Sequence, residues 1–171
     1  MRRVAISISG VLLIGGWVAV ASAHAQGAPR TPAQSVRAQF TAVNGRILEM
    51  AKDFPEEKYS FRPTPEVRTF QEVIVHVLSG NVYAAKAGRG EKASWDEVDA
   101  KEYKTKTAVV AALEKSIQDA NATLKGLADD RLAASLEPWL PVLEHSAEHY
   151  GQLVVYYRVN GLVPPESRPK K

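Results

Sequence analysis

The sequence predicts an all-α protein, a single four-helix bundle. Four stretches of about 20 residues repeat apolar side chains at steps of three and four, and no stretch alternates with period two. Capping, glycine or proline signals stand near most of their ends. The chain has 171 residues, 45% of them hydrophobic, which suits one domain with a core of its own.

The first helix is predicted from Thr31 to about residue 54. Thr31 can cap it, Pro32 fits its first turn, and Gln34 can reach back to the cap. Prolines at 55, 63 and 65 then predict a loop that carries Tyr59 and Phe61. The apolar face of this helix consists of Val36, Phe40, Val43, Ile47, Met50 and Phe54.

The second helix is predicted from Thr69, which forms a capping-box pattern with Glu72, to about Ala87. Gly88 and Gly90 end it. A polar connection over residues 88–104, which contains Trp95, leads to the third helix. The second helix carries Phe70, Val73, Ile74, Val77, Leu78, Asn81 and Ala84 on one face, and the third carries Val110, Leu113, Ile117, Ala120, Leu124 and Leu127.

A short turn at Asp129-Asp130 precedes the fourth helix, which is predicted from about Pro138 to Asn160. Gly161 is expected to end this helix in a left-handed conformation, and Pro164-Pro165 prevent its continuation. The connection between the second and third helices has about 17 residues. It can span a helix of roughly 30 Å, so it permits a parallel pair without requiring one.

The N-terminal residues predict an export signal. A basic Met1-Arg2-Arg3 is followed by uncharged residues 4–23 and by Ala23-His24-Ala25, which fits a cleavage site. We therefore expect a signal peptide at residues 1–25, a linker at 26–30, the bundle at 31–165 and a polar tail at 166–171. The protein is then periplasmic or secreted, with no stable membrane insertion after cleavage. The alternative is an uncleaved membrane anchor, because the apolar stretch is just long enough to span a bilayer.

The composition excludes several functional classes. The chain has no cysteine, so disulfides, thiolate metal sites and thiol nucleophiles are excluded. Without residues 1–25, twenty basic side chains stand against nineteen acidic ones. This balance does not predict a nucleic-acid partner.

Three histidines remain after residue 25, and all of them fall on the inner stripes of predicted helices. His145 and His149 are four residues apart, so both imidazoles point to the same side of the fourth helix. His76 lies at the border of the apolar face of the second helix. Such a set can hold a divalent metal and leave coordination positions open. The alternative is that each is an ordinary polar residue of the core.

Two segments resemble the DinB-like superfamily, whose name refers to DNA-damage-inducible proteins. They are FPEEKYSFRPTPEVRTFQEVIVHVLSGN (residues 54–81) and EHSAEHYGQLVVYYRVNGLVPP (residues 144–165). The resemblance implies an up-down-down-up four-helix bundle. It also implies a divalent metal bound by the residues at the matching positions, His76, His145 and His149. Some members of this family are thiol-dependent transferases or isomerases, and many have no known reaction.

These observations predict an exported metal-binding protein, which is either a metal-dependent hydrolase or thiol transferase or a non-catalytic binding protein of the cell envelope. We expect zinc, with nickel, iron, copper or manganese as alternatives. The small-molecule substrate or ligand is unidentified, and a homodimer is compatible with the sequence. Catalytic residues are not assigned. The acidic and hydroxyl groups near the histidines in the sequence are Glu72, Glu148, Tyr83 and Tyr156. Glu148 is expected on a solvated face, and the two tyrosines in ordinary packing.

Overall fold

A computed structural model describes residues 30–169 of the chain. Residues 1–29 and 170–171, which include the predicted signal peptide at 1–25, lie outside the described part. Within residues 30–169 the structure is all-α, as predicted, and it contains no strand. Its helices are α1 (Pro32–Asp53), α2 (Phe70–Gly88), α3 (Lys106–Gly126), the short α4 (Asp129–Ala134) and α5 (Trp139–Val159).

Both predicted capping boxes are present. The Thr31 hydroxyl accepts a hydrogen bond from the Gln34 amide at 3.1 Å, and the Gln34 side chain accepts one from the Thr31 amide at 3.0 Å. Thr69 and Glu72 do the same at the start of α2, at 3.2 and 2.6 Å. These bonds satisfy backbone N–H groups that have no partner inside a helix, so they fix where α1 and α2 begin.

Each of the four long helices packs mainly against two of the others. α2 lies against α3 and α5, and α1 lies against the same two helices. At one end of the structure Phe54 stacks on Phe70 with ring centroids 3.9 Å apart, and Tyr157 of α5 packs on Phe54. At the other end Phe40 meets Trp139 edge to face at 5.6 Å. Two apolar clusters therefore hold the two ends of the helices together.

Contacts between helix ends show which ends are neighbours. Arg37, near the start of α1, donates to the Leu124 carbonyl at 3.2 Å, near the end of α3. Arg89, directly after α2, pairs with Asp119 in the last half of α3 at 3.0 Å. The end of α3 therefore lies beside the start of α1 and the end of α2.

The stretch after α3 differs from the turn predicted at Asp129-Asp130. It forms the six-residue helix α4, in which Leu132 is buried. Asp129 and Asp130 stand in its first turn, where negative charge is favourable, and Arg37 of α1 binds Asp129. A helix this short is not stable alone, so packing of Leu132 and the Arg37 contact determine its formation.

The end of α5 agrees with the prediction. Gly161 has a φ of +71°, the left-handed conformation that favours glycine. The Leu162 amide donates to the Tyr157 carbonyl at 2.9 Å and closes the turn. Among residues 30–169, no helix is both long enough and apolar enough to cross a bilayer.

We expect Gly88→Ala to lower the free energy of unfolding by about 1–3 kcal/mol. A Cβ at this position would lie 2.5 Å from Cζ2 of the buried Trp139 and 3.1 Å from Cγ2 of Thr123, so α2 and α5 would have to separate. Urea denaturation measures the effect. Gly45→Ala is the matched control, because a Cβ there meets nothing within 4 Å and alanine should stabilise the interior of α1 by roughly 0.5–1 kcal/mol. Equal stability of the two variants would contradict the packing described.

Candidate metal centre

The structure brings the three predicted histidines together between α2 and α5. His76 comes from α2, and His145 and His149 come from successive turns of α5. One candidate ligand nitrogen from each lies within 4.8 Å of the other two. The Nε2 atoms of His76 and His145 are 2.9 Å apart. Such a group could hold one metal ion.

Burial favours the neutral form of two of these imidazoles, those of His76 and His145. It lowers the pKa of His145 to about 3, with further contributions from the neighbouring His149 and His76. The pKa of His76 is also lowered, first by burial and then by the positive charge of Arg68. Neutral imidazole is the form that coordinates metals, so His76 and His145 have a protonation state suited to an ion.

Two of the three imidazoles have a polar partner at Nδ1. His149 Nδ1 lies 2.8 Å from the amide oxygen of Gln152, and a proton on Nδ1 donates to that oxygen. His76 Nδ1 lies 2.9 Å from a carboxylate oxygen of Glu97, without the alignment of a hydrogen bond. Protons on these Nδ1 atoms leave the Nε2 atoms free for an ion.

The sequence analysis did not identify either partner. Gln152 lies three residues after His149, on the same side of α5, so helical spacing offered a signal for it. Glu97 lies in the connection between α2 and α3, where the sequence has no periodicity. Glu72, which lies one turn before His76 in the sequence, is occupied by its capping bond to Thr69 and by an ion pair with Arg62 at 3.3 Å.

Trp95 is the third unexpected residue of the site. Its ring lies 4.9 Å from the His145 ring, edge to face, and stacks on Tyr83 at 5.0 Å. Gly80 makes room for it, since a Cβ there would lie 2.9 Å from Trp95 Cζ2 and 3.3 Å from His145 Nδ1. Trp95 therefore covers one side of His145, although it belongs to the connection between α2 and α3.

The other acidic and hydroxyl groups noted in the sequence, those of Tyr156, Glu148 and Tyr83, differ in their surroundings. Tyr156 is buried, donates its hydroxyl proton to the Arg68 carbonyl, and has a pKa raised by burial. Its oxygen also accepts from the Gln152 amide at 3.5 Å. Glu148 is exposed on α5. The Tyr83 ring packs against Trp95.

The residues present fit a divalent ion. Within residues 30–169 the metal-binding group consists of the three histidines, so they fill only three coordination positions. A pocket of about 370 Å³ opens beside His76 and has room for a small molecule. The pocket wall is mostly polar and includes Arg62, Arg68, Glu72, Glu97 and Asp99. The arrangement can hold an ion and present it to a ligand.

We expect the metal-free protein to lose stability as the pH falls from about 6.5 to 5. The unfolded chain takes up protons on histidine near its ordinary pKa of 6.5, whereas the folded His145 resists protonation down to about 3, so acid favours unfolding. Carboxyl groups whose pKa is lowered in the folded protein, such as that of Glu72, have an ordinary pKa of 4.5. They therefore change the free energy of unfolding only at lower pH. Urea denaturation of chelator-treated protein measures this.

His145→Gln is the control for this pH dependence. It removes the titrating imidazole, so its free energy of unfolding should fall less over the same range. A stability that does not change between pH 6.5 and 5 in the unsubstituted protein would show that the cluster accepts protons as freely as the unfolded chain does.

Comparison with known proteins identifies a family for this chain. No curated protein matches the chain. A family model described as the DinB superfamily matches residues 39–156, a range that includes His76, His145 and His149. The match extends over more than half of the sequence and agrees with the resemblance found in the two sequence segments. The chain therefore belongs to the DinB superfamily.

Proposed function

We propose that this protein binds one divalent metal ion through His76, His145 and His149 and uses it in a hydrolase or transferase reaction on a small molecule. The observation that carries the proposal is the convergence of three imidazoles, of which that of His76 also lines a polar pocket. An ion in such a site supplies Lewis acidity, which polarises a carbonyl or acidifies a water or thiol. The pocket then holds the reacting molecule next to the histidines.

The residues of the chain have separate tasks in this proposal. His145 and His149 stand on one rigid helix and His76 on its neighbour, so the packing of α2 on α5 sets the distances among their ligand atoms. Trp95 covers His145 and excludes water from that side. Zinc fits a set of neutral imidazoles best, and nickel, iron and copper also accept this set, whereas manganese prefers more oxygen ligands.

One observation favours the alternative of a non-catalytic binding protein. General acid–base catalysis needs a proton acceptor within hydrogen-bond reach of the substrate. The carboxylates beside His76 are engaged: Glu72 with Arg62 at 3.3 Å and Glu97 with Arg68 at 2.7 Å. Tyr156 has a buried hydroxyl that already donates to a carbonyl. The choice between the two functions therefore depends on whether a reaction can be measured.

We further propose that the long helices form an up-down-down-up bundle. The stacking of Phe54 on Phe70 supports opposite directions for α1 and α2, and the pairing of Arg89 with Asp119 supports the same direction for α2 and α3. The contact of Tyr157 with the Met50 carbonyl, near the ends of α5 and α1, supports the same direction for these two helices. The 17 residues from 89 to 105 are long enough to connect α2 to a parallel α3.

Export is also part of the proposal, and it rests on the basic, apolar and small-residue pattern of residues 1–25. We expect N-terminal sequencing of the protein from the producing cell's envelope or medium to begin at Gln26 or within two residues of it. Intact Met1 in the membrane fraction would instead show an uncleaved anchor.

We expect elemental analysis of gently purified protein to find one divalent ion per chain. His149→Ala should lose most of this metal, because two imidazoles remain where three held the ion. Circular dichroism should show unchanged helix content, because His149 is only half-buried. Glu148→Ala is the matched control: it changes the exposed neighbour on the same helix and should retain the metal. Equal metal content in His149→Ala and Glu148→Ala would refute the site.

A panel of hydrolase and thiol-transfer substrates then separates the two functions. The metal-loaded protein should turn over at least one class of substrate, and His149→Ala should not. Activity that persists in His149→Ala would not belong to this site. Stoichiometric metal binding without turnover would favour the binding protein.

A further inference from the structure

The connection between α2 and α3, residues 89–105, runs over the histidine cluster. Three contacts fix its course. The Val98 amide donates to the hydroxyl of the buried Ser79 at 3.0 Å, Trp95 packs on His145, and Glu97 reaches His76. Ser79 and His76 are both on α2, so one hydrogen bond to the helix brings the neighbouring Glu97 to the imidazole.

We propose that Glu97 is a positioning residue of the metal centre: it holds the proton of His76 on Nδ1 and so keeps Nε2 available to the ion. This inference rests on the proposed metal-binding function. A carboxylate oxygen 2.9 Å from Nδ1 favours the tautomer that carries its proton there. The other nitrogen, Nε2, is the one that points to His145.

Arg68 holds Glu97 in this position. Its Nη2 lies 2.7 Å from Oε1 of Glu97, the same oxygen that approaches His76. The oxygen therefore lies between a guanidinium and an imidazole. Arg68 is itself anchored, because its backbone carbonyl accepts a hydrogen bond from the buried Tyr156. The Glu97 side chain is 54% exposed, so without Arg68 nothing in the contacts described would keep its carboxylate turned toward His76.

The three imidazoles receive unequal support, and this makes the role of Glu97 specific. His149 has the neutral amide of Gln152 at Nδ1, whereas the Nδ1 atoms of His145 and His76 are both buried without an aligned hydrogen bond. Only His76 among the three has a carboxylate there. A carboxylate raises the basicity of a coordinating imidazole more than an amide does, and loss of such a partner typically weakens metal binding about 10- to 100-fold.

The test is the zinc affinity of purified variants, measured by competition with a chelating dye. Glu97→Ala should bind zinc about 10- to 100-fold more weakly than the unsubstituted protein. Glu97→Gln keeps an oxygen that can accept from Nδ1, so it should recover a clear part of the loss. Asp96→Asn is the matched control, since it removes the charge of the adjacent exposed residue, whose side chain contacts Ser94. Its affinity should stay within about twofold of the original.

Each outcome supports or overturns the proposal. Glu97→Ala with the same affinity as Asp96→Asn would show that Glu97 does not position His76. Equal losses in Glu97→Ala and Glu97→Gln would show that an oxygen able to accept the Nδ1 proton is not what Glu97 provides, which also overturns the proposal. In both cases zinc binding by the unsubstituted protein, and its loss in His149→Ala, would leave the proposed function standing. Failure of the unsubstituted protein to bind zinc or another divalent ion would overturn the proposed function as well.

Discussion

Helix α5 approaches α2 closely at two glycines of α2, and the geometry of the histidine cluster depends on this approach. At Gly80 a Cβ would lie 3.3 Å from His145 Nδ1, and at Gly88 it would lie 2.5 Å from Trp139. The two glycines are eight residues apart, or about 80° around the axis of α2, so both can face α5. A side chain at either position would increase the separation of the helices. The distance between the Nε2 atoms of His76 and His145, now 2.9 Å, would change with that separation.

This approach has an electrostatic consequence. Two imidazole nitrogens 2.9 Å apart repel each other through their lone pairs unless a proton or a cation lies between them. In the metal-free protein a neutral tautomer with its proton on one of the two Nε2 atoms supplies this proton. Burial lowers the pKa of His145 to about 3 and so disfavours a second proton on the same ring, which leaves a metal ion as the way in which the cluster would take up positive charge. The fold holds the ligands together in advance, and less conformational freedom has to be lost when the ion binds.

The helices and the grouping of the three histidines could be predicted from the sequence because both depend on local patterns. Capping boxes at Thr31 and Thr69 fix two helix starts, and the four-residue spacing of His145 and His149 places both on one face. The contributions of Trp95 and Glu97 could not be predicted in the same way. Their stretch has no periodicity, and its course is set by tertiary contacts such as that between Val98 and Ser79. The short helix α4 was missed for a similar reason, because Leu132 stabilises it only by packing against the other helices.

The charges around the pocket are consistent with an ion at the centre. The wall carries two guanidiniums and four carboxylates, an excess of two negative charges, and a divalent ion on neutral imidazoles supplies the same amount of positive charge. Two of the carboxylates are already paired with the guanidiniums, at 3.3 and 2.7 Å. The two others, Glu66 and Asp99, form no ion pair with these guanidiniums, and their attraction for the ion is screened by salt. With the ion bound the pocket is nearly neutral, so it does not strongly repel a small molecule of either charge. Selection in such a pocket depends on shape, on hydrogen bonds to the fixed carboxylates and guanidiniums, and on the open positions of the metal. The groups of the wall are Arg62, Glu66, Arg68, Glu72, Glu97 and Asp99.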